Sequence, residues 1–82
     1  ITLRQGERVV DRGVGANVLD SPALALAHLA RVLAAQPFAA PLSAGEFVTT
    51  GTVTDAWPVA AGEAWSSGYG ELGLAGLRVD FV

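Results

Sequence analysis

The sequence predicts an α+β domain, β-rich and carrying one helix, with an antiparallel or mixed sheet. Three observations predict it. Two short extended runs flank Gln5-Gly6-Glu7 near the start, Asp20-Ser21-Pro22 opens one stretch of helical periodicity, and the closing residues alternate between apolar and polar side chains.

Residues 2–12 read as a hairpin in which Gly6 supplies the unusual backbone angles of the turn. Gly13-Val14-Gly15-Ala16-Asn17 follows as a flexible connection. At the helix start, Ser21, or Asp20 before it, can accept an orphan backbone N–H, and Pro22 suits the first helical position. The helix is expected from about Pro22 to Ala35, stopping before Pro37. Helical spacing puts Leu26, Leu29, Ala30 and Leu33 on one face, the expected core face, and Leu24, His28 and Arg31 on the other. Leu42-Ser43-Ala44-Gly45 reads as a turn, after which Glu46–Thr50 resumes a strand. Ala61-Gly62-Glu63 signals a second turn before the alternating run Trp65, Ser67, Tyr69. The last strand, Leu77 to Val82, is expected to point Leu77, Val79 and Phe81 inward and Arg78 and Asp80 outward.

A chain of 82 residues suits one small domain with a modest core. Hydrophobic residues make up 51% and charged residues 16%, more apolar material than a lone domain of this size easily hides, so part of it is expected to face a partner. The net charge is −3 and the five arginines are scattered, which argues against nucleic acid as a partner. The absence of cysteine removes disulfides and thiolate metal sites and suits a cytoplasmic setting. The apolar stretch Ala23 to Ala35 is interrupted by His28 and Arg31 and is too short to span a bilayer, so no membrane partner is expected. There is no methionine, and Ile1 opens what reads as a strand in progress, so the chain is expected to be a piece of a longer protein.

Candidate chemistry is sparse. Gly13-x-Gly15 precedes a helix, but Val18 stands where a dinucleotide fingerprint needs its third glycine and no lysine exists for a P-loop, so a kinked helix entry is the simpler reading. His28 is the only histidine and lacks the partners of a metal site or general base. The eight carboxylates form no Glu-x-Glu, Asp-x-Asp or Glu-x-x-His pattern, and most flank turns. Asp55 stands apart because it follows the threonine cluster Thr49-Thr50-Gly51-Thr52. Strand alternation puts Val48, Thr50 and Thr52 on one side, and Thr49 and Thr50 suit a strand for packing reasons alone. Gly51 is less ordinary: within a strand it marks a bulge or a place where a ligand nears the backbone. Hydroxyls beside it could hold a carboxylate.

Taken in order, Asp11-Arg12-Gly13-Val14-Gly15-Ala16-Asn17-Val18-Leu19, Ser21-Pro22-Ala23-Leu24-Ala25-Leu26-Ala27-His28-Leu29-Ala30, Leu42 through Thr52, and Pro58-Val59-Ala60-Ala61-Gly62-Glu63 resemble the C-terminal part of the fumarylacetoacetate hydrolase superfamily. The branch most resembled is that of the 2-oxopent-4-enoate hydratases and related 2-oxo-acid decarboxylases of aromatic meta-cleavage pathways. The resemblance implies a mixed β-roll, with residues 1–82 as the C-terminal portion of one catalytic domain. It implies a cytoplasmic, oligomeric hydratase that uses Mg²⁺ or Mn²⁺ to act on 2-hydroxypenta-2,4-dienoate or a similar 2-oxo acid. A decarboxylase or C–C bond hydrolase of the same superfamily is the alternative, and a non-catalytic oligomerisation module the rival from another class.

The resemblance carries substrate contact to Gly51 and Thr52, leaves Thr50 and Asp55 at most in supporting positions behind them, and puts the metal carboxylates upstream of this chain. The isolated 82 residues are therefore expected to be inactive. The polar helix face and Trp57 or Trp65 are expected to meet the missing N-terminal part or another subunit. Ser21 and His28 depart from the residues common at those places in the family, and the second departure speaks against chemistry at His28.

Overall fold

A computed structural model describes all residues, 1–82. Four strands form one sheet: β1 (Thr2–Gln5), β2 (Arg8–Arg12), β3 (Ala64–Gly68) and β4 (Arg78–Asp80), in the order β2-β1-β3-β4 with every neighbour antiparallel. The helix α1 (Pro22–Ala35) lies between β2 and β3 in sequence.

The hairpin forms as its glycine dictates. Gly6 has φ 58°, the positive angle that a two-residue type II′ turn asks of its first central residue. The β1–β2 register then slips by one residue: Arg4 pairs with Val9 but Leu3 pairs with Asp11, so Val10 bulges out of the ladder. Cross-strand partners share a face, so the bulge moves Asp11 onto the Leu3 side of the sheet. Without it, Val10 would stand there instead.

Helix α1 begins as the cap residues require, with the Ser21 hydroxyl accepting the Ala23 N–H at 3.1 Å and Pro22 at the first position. Asp20 is not the cap. It and Leu19 have φ of 65° and 45°, so the chain reverses sharply before the helix and the apolar stretch Gly15–Ala35 is not one continuous helix. At 1.5 Å per residue, the 14 residues of α1 extend about 21 Å, short of a bilayer's hydrocarbon thickness.

Three expectations are corrected. First, Glu46–Thr50 is not a strand. It pairs with none of the four strands, and a β-prone run without a partner has no ladder to join. It runs along the first turns of α1 instead, where Pro22, Ala23, Leu26, Leu42 and Val48 line a groove of about 490 Å³. Second, the helix face expected to be the core is not buried: Leu29 and Leu33 are half-buried, whereas Leu26 and Ala30 are exposed. Helix α1 makes no substantial contact with any strand. Third, the C-terminal strand covers only Arg78–Asp80, and Leu77 and Val79 are 69% and 51% exposed although they share a face with buried Trp65.

Trp65, Val18 and Gly13 are the three buried residues. Trp65 sits near the start of β3, an inner strand, between Gln5 and Val79, and its indole N–H donates to Glu63 Oε2 at 2.9 Å. Glu63 also accepts from the Gln5 amide at 2.6 Å and the Ala60 N–H at 3.0 Å. Its carboxyl is held below the usual range, first by the Trp65 indole and then by the Ala60 N–H. Trp65 is thus a core residue of this chain, not a docking residue.

The radius of gyration is 15.7 Å, against about 12 Å for a compact domain of this length. The accessible surface is 6435 Å², against about 4,600 Å² for a folded monomer of this mass. The surplus of roughly 1,800 Å² is about twice what one partner contributes to an ordinary specific interface.

Candidate functional site

The threonine segment Thr50–Asp55 is held from one side by residues 11–18. Gly51 has φ 136°, so the backbone itself demands glycine there, and a side chain built on it would touch buried Val18. The expectation that Gly51 interrupts a strand is replaced by this: it turns an irregular segment. Gly13 serves from below. Its backbone passes so close to the Val53 carbonyl that a Cβ would overlap it. This close approach, rather than flexibility, is the structural reason for glycine at that position.

Two side chains complete the hold. Asn17 Nδ2 donates to the Val53 carbonyl at 2.9 Å. Asp11 Oδ2 accepts both the Asp55 N–H and the Trp57 indole N–H at 3.1 Å, while Oδ1 accepts the Arg12 N–H at 2.7 Å. These donors hold the Asp11 carboxyl below the ordinary range, the Trp57 indole contributing most, then the Arg12 and Asp55 N–H groups, against an opposing penalty from partial burial. Trp57 therefore latches the segment to β2 while its ring stays 41% exposed.

Thr52 stands between two concavities. On one side Asp11, Arg12, Asn17, Thr54 and Asp55 line a polar cavity of about 350 Å³ that Thr52 shares. On the other, Thr50, Gly51 and Thr52 face Leu3, Ser67, Tyr69 and Leu77 across about 400 Å³. The structure thus brings Thr50, Gly51, Thr52 and Asp55 into one segment, with Thr50 and Asp55 turned toward different cavities. Ser67 Oγ accepts the Leu77 N–H at 3.1 Å and keeps its own proton to give. The hydroxyls of Thr50, Thr52 and Tyr69 make no hydrogen bond within the chain. His28 lies exposed on α1, outside both cavities.

Asp11, Arg12, Asn17, Ser67 and Tyr69 border the site without having been expected there. Asn17 and Asp11 could not be assigned to it because their partners lie 36 and 44 residues away, and Asp11 reaches its side of the sheet only through the bulge. The alternation of Trp65, Ser67 and Tyr69 was the one local signal that pointed to a shared surface.

The carboxylates and the single histidine do not gather as a divalent metal requires. No group of three or more His, Asp or Glu side chains converges anywhere in the chain, and the Asp11 oxygens are already taken by N–H donors. These 82 residues do not fit a metal centre of their own.

Compared with curated proteins, the chain is 37% identical over all its 82 residues to the protein named 4-oxalocrotonate decarboxylase of Pseudomonas sp. (strain CF600), and spans 30% of that protein's length. No protein-family profile matches the chain. No solved structure matches it significantly.

Proposed function

We propose that the chain is the C-terminal portion of an enzyme of the fumarylacetoacetate hydrolase superfamily that acts on a 2-oxo acid of aromatic catabolism. The observation that carries this reading is the similarity to 4-oxalocrotonate decarboxylase, which extends over the whole chain. It favours decarboxylation of 4-oxalocrotonate or a close analogue ahead of the hydration of 2-hydroxypenta-2,4-dienoate.

In this reading the chain contributes binding and orientation. The Thr52 hydroxyl donates to a substrate carboxylate, and the glycine-shaped backbone at Gly51 lets the ligand approach. The latch from Asp11 and Asn17 keeps the segment from rearranging when the ligand arrives, so little ordering cost falls on binding. Any Mg²⁺ or Mn²⁺ ligands belong, in this reading, to residues outside this chain.

The partner that completes the fold, in this proposal, is polypeptide corresponding to the part of the decarboxylase that these residues do not match. The surplus surface supports it: Leu24, Leu26, Val32, Phe38, Phe47 and Leu74 are all exposed, beside a total accessible surface well above that of a folded monomer of this mass. A β-roll, a cytoplasmic setting and homo-oligomerisation belong to the same proposal. The competing occupant is a second copy of the chain, as in a non-catalytic assembly module. Sedimentation of the isolated 82 residues separates the two, because stable dimers would favour the module.

The deciding experiment assays the complete gene product with 4-oxalocrotonate, 2-hydroxypenta-2,4-dienoate and an acylpyruvate. Release of carbon dioxide from the first is the expected result. Hydration of the second alone would restore the hydratase reading, and cleavage of the third alone would make the enzyme a C–C hydrolase.

A further inference from the structure

Thr52 lines both cavities, so the proposed ligand has two places to lie, and charge distinguishes them. The polar cavity carries the carboxylates of Asp11 and Asp55 against the single guanidinium of Arg12. Arg12 is also drawn away, since its Nη1 donates to Thr2 Oγ1 at 3.3 Å. An incoming carboxylate meets net negative charge there, and like charges within a few ångströms repel. The other cavity has no charged side chain. Its walls offer the hydroxyls of Thr50, Thr52, Ser67 and Tyr69, and its apolar surface comes from Leu3 and Leu77 together with Ile1, Pro22 and Val53.

We infer that this hydroxyl-lined cavity, not the acidic one, receives a small acyclic 2-oxo acid, with Ser67 and Tyr69 as the wall opposite Thr52 and Leu3 and Leu77 contacting its chain. The inference rests on the reading of the chain as part of a 2-oxo-acid enzyme, and it adds the residues that select the ligand. The elements make such a wall credible. Ser67 is fixed in β3 opposite Leu3, its oxygen anchored by the Leu77 N–H, and Tyr69 lies just beyond β3 at the entry to the short 3₁₀ turn Gly70–Leu72. Hydroxyl donors on both walls, Thr50 and Thr52 on one and Ser67 and Tyr69 on the other, suit a carboxylate, which has two oxygens to be satisfied. An apolar surface beside these hydroxyls suits a hydrocarbon chain rather than a second charge.

The test titrates the complete polypeptide carrying this chain with 2-oxopropanoate and 2-oxopentanoate. The longer acid should bind about tenfold more tightly, since each buried methylene contributes roughly 0.8 kcal/mol. Tyr69→Phe should weaken both about two- to tenfold, as expected for one lost hydrogen bond. Leu77→Ala should narrow the gap between the two acids, and Arg12→Gln should leave both affinities unchanged. Weakened binding in Arg12→Gln with none in Tyr69→Phe would put the ligand in the acidic cavity and overturn the inference.

If Tyr69→Phe fails to fold, the wild-type protein still decides. Amide signals of Ser67 and Tyr69 should shift with 2-oxopentanoate while that of Asn17 stays in place, and the reverse pattern overturns the assignment. Binding that follows the expected pattern without turnover of 4-oxalocrotonate would leave this site standing and remove the proposed reaction. Turnover whose Michaelis constant ignores Tyr69→Phe would do the opposite.

Discussion

Trp65 and Trp57 each donate an indole N–H to a carboxylate, at 2.9 Å to Glu63 and 3.1 Å to Asp11. Trp65 is buried within a four-stranded sheet, whereas Trp57 lies on an irregular segment with its ring half in solvent. The same hydrogen bond therefore does different things. In the sheet it satisfies the polar atom of a side chain that packing has already placed. Beside the threonine segment it substitutes for packing, tying a stretch without ladder bonds to the end of β2. The difference teaches that this chain divides into a region built by main-chain pairing and a region held by a few side-chain latches, with the helix attached to neither by an apolar core.

The largest effect should come from the sheet. Trp65→Ala removes its one large buried side chain and should cost about 3 to 5 kcal/mol, read from the denaturant midpoint of the complete polypeptide. Leu26→Asp on the open helix face makes the contrast. In the isolated chain it should change stability by no more than about 0.5 kcal/mol, as a surface substitution does, yet it should destabilise the complete polypeptide clearly. Equal effects in the two settings would mean that nothing outside these residues covers α1.

Gly13→Ala should come next, at about 1 to 3 kcal/mol, because its methyl group must displace the Val53 carbonyl. Its amide spectrum should show disturbance at residues 52–55 while the β3–β4 pairing persists. A disturbance spread evenly over the sheet would contradict the division into two regions.

Asp11→Asn should be milder and visible mainly through pH. Because the Asp11 carboxyl is held below its ordinary value of about 4, its latch is fully present above that value and is lost as pH falls through the lowered folded-state value. Trp57 emission should therefore change below about pH 4 in the native protein. Asp11→Asn should remove this acid step, whereas Glu63→Gln should leave it in place.

The smallest effect belongs to the Arg78–Asp80 ion pair on the sheet edge. It is short at 2.8 Å, but its side chains are 69% and 58% exposed, and exposed pairs contribute little. Asp80→Asn should leave the melting midpoint unmoved. A clear loss would give this edge pair a stabilising role that its exposure does not suggest.

Local signals in the sequence carried much of this architecture. Ser21 and Pro22 mark the helix start, Pro37 its end, Gly6 the hairpin turn, and the Trp65-Ser67 alternation the strand β3. What they could not carry depends on partners distant in sequence. Glu46–Thr50 has the composition of a strand but pairs with none. Leu26 and Ala30 have the spacing of a core face and lack a core. At the site, Gly51 stood out from the hydroxyls around it and the family resemblance pointed to Thr52 beside it, but the reason for that glycine is its positive φ beside Val18, which no local pattern reveals. Asp11 reads as an ordinary strand-end carboxylate until the bulge at Val10 turns it toward Trp57.

In the proposed function the latched threonine segment holds the ligand through Thr52. Because Thr52 is exposed and its hydroxyl has no partner within the chain, Thr52→Val should leave the melting midpoint of the complete polypeptide where it is. The binding constant for 2-oxopentanoate, measured on that variant, should weaken by about tenfold or more, the loss expected for a hydrogen bond to a charged group. An unchanged binding constant in a normally folded variant would contradict the account.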